Sequence, residues 1–206
     1  MSIFDTLSQK PWLPSQEKKD NLHTGQSFAF ESSRVALICF LGSITALFSL
    51  FFVAYVGRMA YGDWRVLPEP FLLWINTGAL VISSILFQKA KNLSNKFIFD
   101  NAKYYLLAAG VFAILFILGQ FKVWNLLNSY GYFVDSNASF AFFYMLTGLH
   151  MVHMLGGLVV WIWSVSQIFK SDLSYTKLKS TIGSTAIYWH YLLVVWLILF
   201  CLLIVT

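Results

Sequence analysis

The sequence predicts an all-α protein, a polytopic membrane bundle of five transmembrane helices. Of its 206 residues, 58% are apolar and only 11% are charged. Five stretches hold no Asp, Glu, Lys or Arg: Val35–Gly57, Pro70–Gln88, Tyr104–Phe121, Ser136–Phe169 and Ser180–Thr206. The shortest has 18 residues. As a helix it reaches about 27 Å, enough for a hydrocarbon core of roughly 30 Å. The runs are continuous rather than alternating, which excludes barrel strands and leaves helices as the way to pair the backbone in lipid. A soluble helical domain needs a charged outer face. The apolar content and the two cysteines also exclude a disordered chain and a disulfide framework.

The first span, Val35–Gly57, carries Gly42 and Ala46 as a small-xxx-small pair beside Ser43, a pattern for close helix packing. It is expected to serve as the insertion signal; the first 33 residues are polar. The second, Pro70–Gln88, holds Asn76, Thr77, Ser83 and Ser84. Asn76 and Ser83 are seven apart and share a face, as interhelical hydrogen bonding requires. The third, Tyr104–Phe121, just spans. The fourth run is too long for one crossing, and Ser136, Asn137 and Ser139 put a loop at its start. In it, His150 and His153 lie on neighbouring helix faces, with Thr147 and Gly157 completing a polar and small stripe. The fifth, Ser180–Thr206, carries His190. Trp64, Trp124, Tyr130, Tyr188 and Trp189 fall near span ends, where aromatic residues anchor at the interface.

Charge sets the expected orientation. Lys10, Lys18, Lys19 and Arg34, then Lys89, Lys91, Lys96 and Lys103, then Lys170, Lys177 and Lys179 share one side if the chain crosses five times. Only Arg58, Arg65 and Lys122 of the 14 basic residues fall on the other. The excess predicts a cytoplasmic N-terminus and an external C-terminus. Residues 1–33 then form a cytoplasmic tail and residues 34–206 a single five-helix membrane domain. The net charge of +5 is explained by membrane flanks and anionic headgroups, so no nucleic-acid partner is expected. Cys39 and Cys201 fall at opposite faces, too far apart for a bond.

The charge-free runs disfavour an autonomous proton pump or a carrier of charged substrates, which need ionisable groups in their path. The histidines allow two readings. They are interhelical glue, or His153 and His190, which fall at similar depth, ligate a haem b. Glue is the favoured reading, with no catalytic residue and no metal site.

The segments in order resemble subunit III of haem-copper terminal oxidases, in its short five-helix bacterial form. Thr147-Gly148-Leu149-His150-Met151-Val152-His153, then Gly156, is similar to the family's T-G-x-H-x-x-H…G. Tyr188-Trp189-His190-Tyr191 followed by Val194-Val195-Trp196-Leu197 is similar to Y-W-H-F-x-D-x-V-W-L. Leu67-Pro68, Asn76-Thr77, Ser83-Ser84 and Ala90 resemble L-P…N-T…S-S…A. Ser43, Phe48, Phe52 and Tyr55 fit the first helix, and Gln120 and Trp124 the third. Three family carboxylates are missing, their places taken by Ile44, Val123 and Leu193, so a role in proton uptake does not carry over.

The resemblance implies an accessory, non-redox subunit of a respiratory oxidase in the bacterial cytoplasmic (inner) membrane. The complex reduces oxygen and translocates protons. This subunit would pack against catalytic subunit I, with subunit II nearby and a larger supercomplex possible. Haem and copper would reside in those partners, and this chain would bind phospholipid but no cofactor of its own. His150, His153, His190, Trp189 and Asn76 are the expected lipid or interhelical contacts. A related accessory protein of nitric oxide reductase is the alternative within the same architecture.

Overall fold

The computed structural model describes residues 32–68, 70–168 and 175–205. Five helices follow in order: α1 (Ser32–Met59), α2 (Leu72–Asn95), α3 (Phe99–Ser129), α4 (Ala138–Ile168) and α5 (Tyr175–Val205). Each is long and apolar enough to cross a membrane, and no strand occurs among the described residues. Most of the proposed tail, together with Glu69 and Lys170, lies outside the described residues.

The helices overrun the charge-free runs. α3 has 31 residues, or about 46 Å, well beyond a core of roughly 30 Å. Its first turn includes Asp100 and its last third Lys122. A helix does not stop where charge begins, because its backbone remains paired after it enters the headgroup layer. The expected loop at the start of the fourth run is confined to Ser136 and Asn137, and Ser139 is already helical. Asn137 Oδ1 accepts from the Ser139 backbone N–H at 2.9 Å and caps α4.

Two helix ends share one hydrogen-bond pattern. At the end of α3, Gly131 N–H donates to Asn128 O and Tyr132 N–H to Leu127 O, both at 3.0 Å. Gly131 has φ 85, the left-handed conformation that this cap requires and glycine supplies. At the end of α2, Phe97 N–H donates to Ser94 O at 3.1 Å and Ile98 N–H to Leu93 O at 3.0 Å. Here Phe97 takes the left-handed position at φ 60, with its Cβ strained against the backbone.

The four helices α2 to α5 pack through their backbones and α1 does not. α2 lies along α3 and α5, while α4 contacts α3 and α5. Gly157 of α4 seats Trp189 and Tyr188: a Cβ there would lie 2.8 Å from Trp189 Cζ3. The described part of α1 reaches the others through long side chains instead. Thr45 and Tyr191 hydroxyls meet at 2.9 Å, and Phe48 packs on the His153 ring with centroids 5.6 Å apart. The close packing expected at Gly42 and Ala46 is absent among the described residues. A Cβ built on Gly42 meets nothing within 4 Å, Ala46 is exposed, and the Ser43 hydroxyl returns to Cys39 O of its own helix. The buried stripe of α1 is Ile44, Phe48 and Tyr55, residues too large to let two backbones approach.

Candidate functional site: the polar interior of the bundle

The polar side chains divide into three groups along the bundle. The first surrounds His190. Its Nε2 lies 2.9 Å from Gln88 Oε1, and its Nδ1 is bonded to the Ser84 hydroxyl. An amide oxygen only accepts, so the neutral ring carries its proton on Nε2 and receives the Ser84 hydroxyl proton at Nδ1. Gln88 Nε2 continues the chain to Asn92 Oδ1 at 3.1 Å. Ser84, Gln88 and Asn92 are four apart on α2, which lines them up on one face.

The second group ties α4 to its neighbours. His153 Nδ1 donates to Leu149 O at 2.8 Å, and Tyr188 Oη donates to His153 O at 2.9 Å. The Ser164 and Thr185 hydroxyls meet at 2.7 Å between α4 and α5. Nearby, Trp189 is fully buried against Phe87, with ring centroids 4.7 Å apart. The interface-anchor expectation for Tyr188 and Trp189 is therefore corrected. α5 begins at Tyr175, which sets these rings about 20 Å along the helix. Trp124 is likewise turned inward, with Nε1 donating to Thr147 Oγ1 at 3.1 Å. Tyr130 is exposed at a helix end, as an anchor would be.

The third group is the deepest. Asn76, Gln120 and His150 are at most 3% exposed. Asn76 lies against Gly119, where a Cβ would come within 2.0 Å of its Oδ1. Phe116 meets His150 edge-on, with centroids 6.0 Å apart. Trp196 lies across both rings and donates from Nε1 to Thr77 Oγ1 at 3.0 Å. Sequence reasoning found Asn76 and His150. It treated Gln120 as a minor family match, because one amide at a helix end carries no periodic signal.

The expected loss of carboxylates has a structural counterpart. Ile44 is 3% exposed and Val123 is fully buried, so both positions are filled by packed hydrocarbon. Among the described residues no group of three or more His, Cys, Asp or Glu side chains could hold a metal ion. The haem reading of His153 and His190 is not favoured. Both nitrogens of His190 are engaged with α2, whereas the His153 ring faces Phe48 of α1.

One further feature lies between α1 and α5. A groove of about 410 Å³ is walled by Thr45, Phe48 and Phe52 on one side and Tyr191, Val195 and Leu199 on the other. A second, of about 510 Å³, shares Phe52, Val194 and Ile198 with it and runs on to Val205. The walls are apolar apart from the Thr45–Tyr191 hydroxyl pair and Ser49.

Fold and interior together define a multi-pass helical membrane protein whose buried polar side chains largely serve contact between helices. The family model for cytochrome c oxidase subunit III matches residues 70–205. The probable cytochrome c oxidase subunit 3 of Mycobacterium tuberculosis (strain ATCC 25618 / H37Rv) is 28% identical over 172 residues, covering 81% of this chain and 84% of that one. Cytochrome c oxidase subunit 3 of Thermostichus vulcanus is 31% identical over 178 residues, with 82% and 85% covered. The haem-copper oxidase subunit I+III of Aeropyrum pernix is 24% identical over 187 residues, 84% of this chain but 22% of that longer one. This chain belongs to the cytochrome c oxidase subunit III family. It is an accessory subunit of a haem-copper oxidase and works within an oxidase complex of the respiratory chain.

Proposed function

We propose that this chain is the non-redox scaffold of its complex. It packs against catalytic subunit I, with subunit II in the same assembly, and holds phospholipid in the groove between α1 and α5. Haem and copper belong to those partners. The name of the Aeropyrum pernix relative joins subunits I and III in one chain, which supports the partnership with subunit I. The bundle sits in a bacterial cytoplasmic membrane with its tail, residues 1–33, inside and its C-terminus outside; the asymmetry of Lys and Arg supports that orientation. His150, His153, His190, Trp189 and Asn76 act as interhelical contacts within the domain of residues 34–206.

The observation that carries the lipid reading is the groove. Its walls suit acyl chains through shape and van der Waals contact, since the surrounding lipid tails are as apolar as the groove. The groove is nearly apolar, so chain shape rather than headgroup charge selects the occupant.

The test is native purification from detergent, with mass spectrometry of subunits and lipids and a visible spectrum. A haem-copper subunit and retained phospholipid should copurify. Val195→Trp, which fills the groove, should lower the phospholipid retained while the partner's haem spectrum stays unchanged. Purification without any haem-copper partner would overturn the scaffold reading. Unchanged lipid in Val195→Trp would overturn the groove assignment alone. A reduced haem band from this subunit expressed alone, lost in His190→Ala, would restore the cytochrome reading.

A further inference from the structure

We propose that Asn76, Gln120 and His150 hold bound water at the centre of α2, α3 and α4, forming an internal hydration site.

Five polar atoms carry the argument. Asn76 Nδ2, Gln120 Nε2 and Oε1, and His150 Nδ1 and Nε2 are all buried with no hydrogen-bond partner among the described residues. Buried polar groups are otherwise almost always paired, so each of these side chains needs a partner. They are linked through shared neighbours. Asn76 touches Gly119, the neighbour of Gln120; Phe116, one turn before Gln120, touches His150; Trp196 touches Phe116 and His150 and bonds Thr77, the neighbour of Asn76.

The donor set selects the ligand. It offers amide N–H donors, an amide oxygen, and an imidazole that in its neutral form supplies one donor and one acceptor. Water both donates and accepts and typically makes about three bonds in a buried site. A metal cation would find one imidazole and no anionic ligand, a weak set. An apolar molecule would leave all five atoms unpaired. Filling the site with hydrocarbon is prevented by the same side chains, so water is the partner that completes them.

A polar contact and a pocket lie next to the site. The Trp124–Thr147 hydrogen bond lies one turn beyond Gln120 and His150, toward the end of the bundle. Trp124 also lines a pocket of about 550 Å³ there, with Asn125, Asn128 and Tyr144.

The test is radiolytic hydroxyl labelling of the intact oxidase complex in water enriched in oxygen-18, read by mass spectrometry. Radicals formed from a bound water mark its neighbours wherever they are buried. Phe116, His150 and Trp196 are fully buried. After correction for intrinsic reactivity, they should label several-fold faster than Leu106, which is equally buried and about 15 Å from Phe116 along α3. In a Gln120→Leu/His150→Leu variant, labelling of Phe116 and Trp196 should fall to the Leu106 rate. Wild-type labelling no faster than Leu106 overturns the proposal, as does labelling that persists in the double variant. If that variant does not assemble, the wild-type comparison decides alone.

Discussion

Asn137 holds two loops with one side chain: its Nδ2 donates to the Asp63 backbone carbonyl at 2.8 Å, while its Oδ1 accepts from Ser139 N–H at 2.9 Å and from Ser139 Oγ at 3.0 Å. The turn between α1 and α2 is thereby fastened to the start of α4. Asp63 also receives a two-pronged bond from Arg58 at the end of α1.

Asn137→Ala removes both functions, and loss of a helix cap typically costs about 1 kcal/mol. Asn137→Asp keeps the cap acceptor and loses only the bond to Asp63, so it should cost less. Thermal unfolding of the purified complex orders the two. Equal losses would show that the cap contributes nothing.

The Arg58 guanidinium holds the Asp63 carboxyl below the ordinary carboxylate range, chiefly by hydrogen bonding and then by charge attraction. The sign follows from that direction. The folded state binds its proton more weakly than the unfolded chain, so the stabilisation is complete above the unfolded value of about 3.9. It fades as pH falls through the lower folded value. Asp63 is fully exposed, so the effect is local and weakened by salt. Proteolysis of the α1–α2 turn should rise in strong acid in the wild type. In Asp63→Asn it should be raised already at neutral pH and lose that acid-dependent step. An identical pH profile in both proteins would contradict the assignment.

The two left-handed caps predict opposite responses. Gly131→Ala introduces a Cβ at φ 85 and should destabilise by roughly 1 kcal/mol. Phe97→Gly relieves the same strain at φ 60, but it gives up the Lys179 ammonium lying 5.4 Å from the Phe97 ring centroid. An exposed cation–π contact is worth about 0.5–1 kcal/mol. The net change at Phe97 should therefore be near zero, with a gain appearing when Lys179 is already Ala. Chemical unfolding of the four variants measures both terms.

Gly119→Ala drives a methyl group into Asn76, and overpacking of this kind costs typically 1–3 kcal/mol. Shortening the partner makes room, so Asn76→Ala/Gly119→Ala should be less destabilised than the sum of its single variants. Additive losses would mean that the two side chains are not in contact.

Much of the architecture was legible in the sequence because lipid is an unforgiving solvent. A stretch such as Val35–Gly57 with no charge has few other places to go, and the match of five helices to five charge-free runs follows from that. Helix ends were less legible. Lys89 and Lys91 lie within α2, since the headgroup layer tolerates both a helix and a charge. The standing-off of α1 was hidden because a small-xxx-small pattern shows where a close contact can form, and Gly42 has no partner backbone to receive it. Trp189 was misplaced by a shift of a few residues in the assumed start of α5. At the deepest level, His150 and Asn76 were noticed singly. Their convergence with Gln120 depends on the relative rotation of three helices, which no single helix encodes.

The side-chain-only attachment of α1 gives the molecule a weak seam. Four helices interlock like fitted staves, while the fifth is held at fingertip distance by Thr45, Phe48 and Tyr55. Shape-sensitive solvents should pry that rod loose first: on titration with a short-chain detergent, cross-links from α1 to α5 should fail while those between α2 and α3 survive. The family model begins its match at Pro70, past this rod, whereas the relatives from Mycobacterium tuberculosis and Thermostichus vulcanus align over more than four-fifths of the chain and so reach into it.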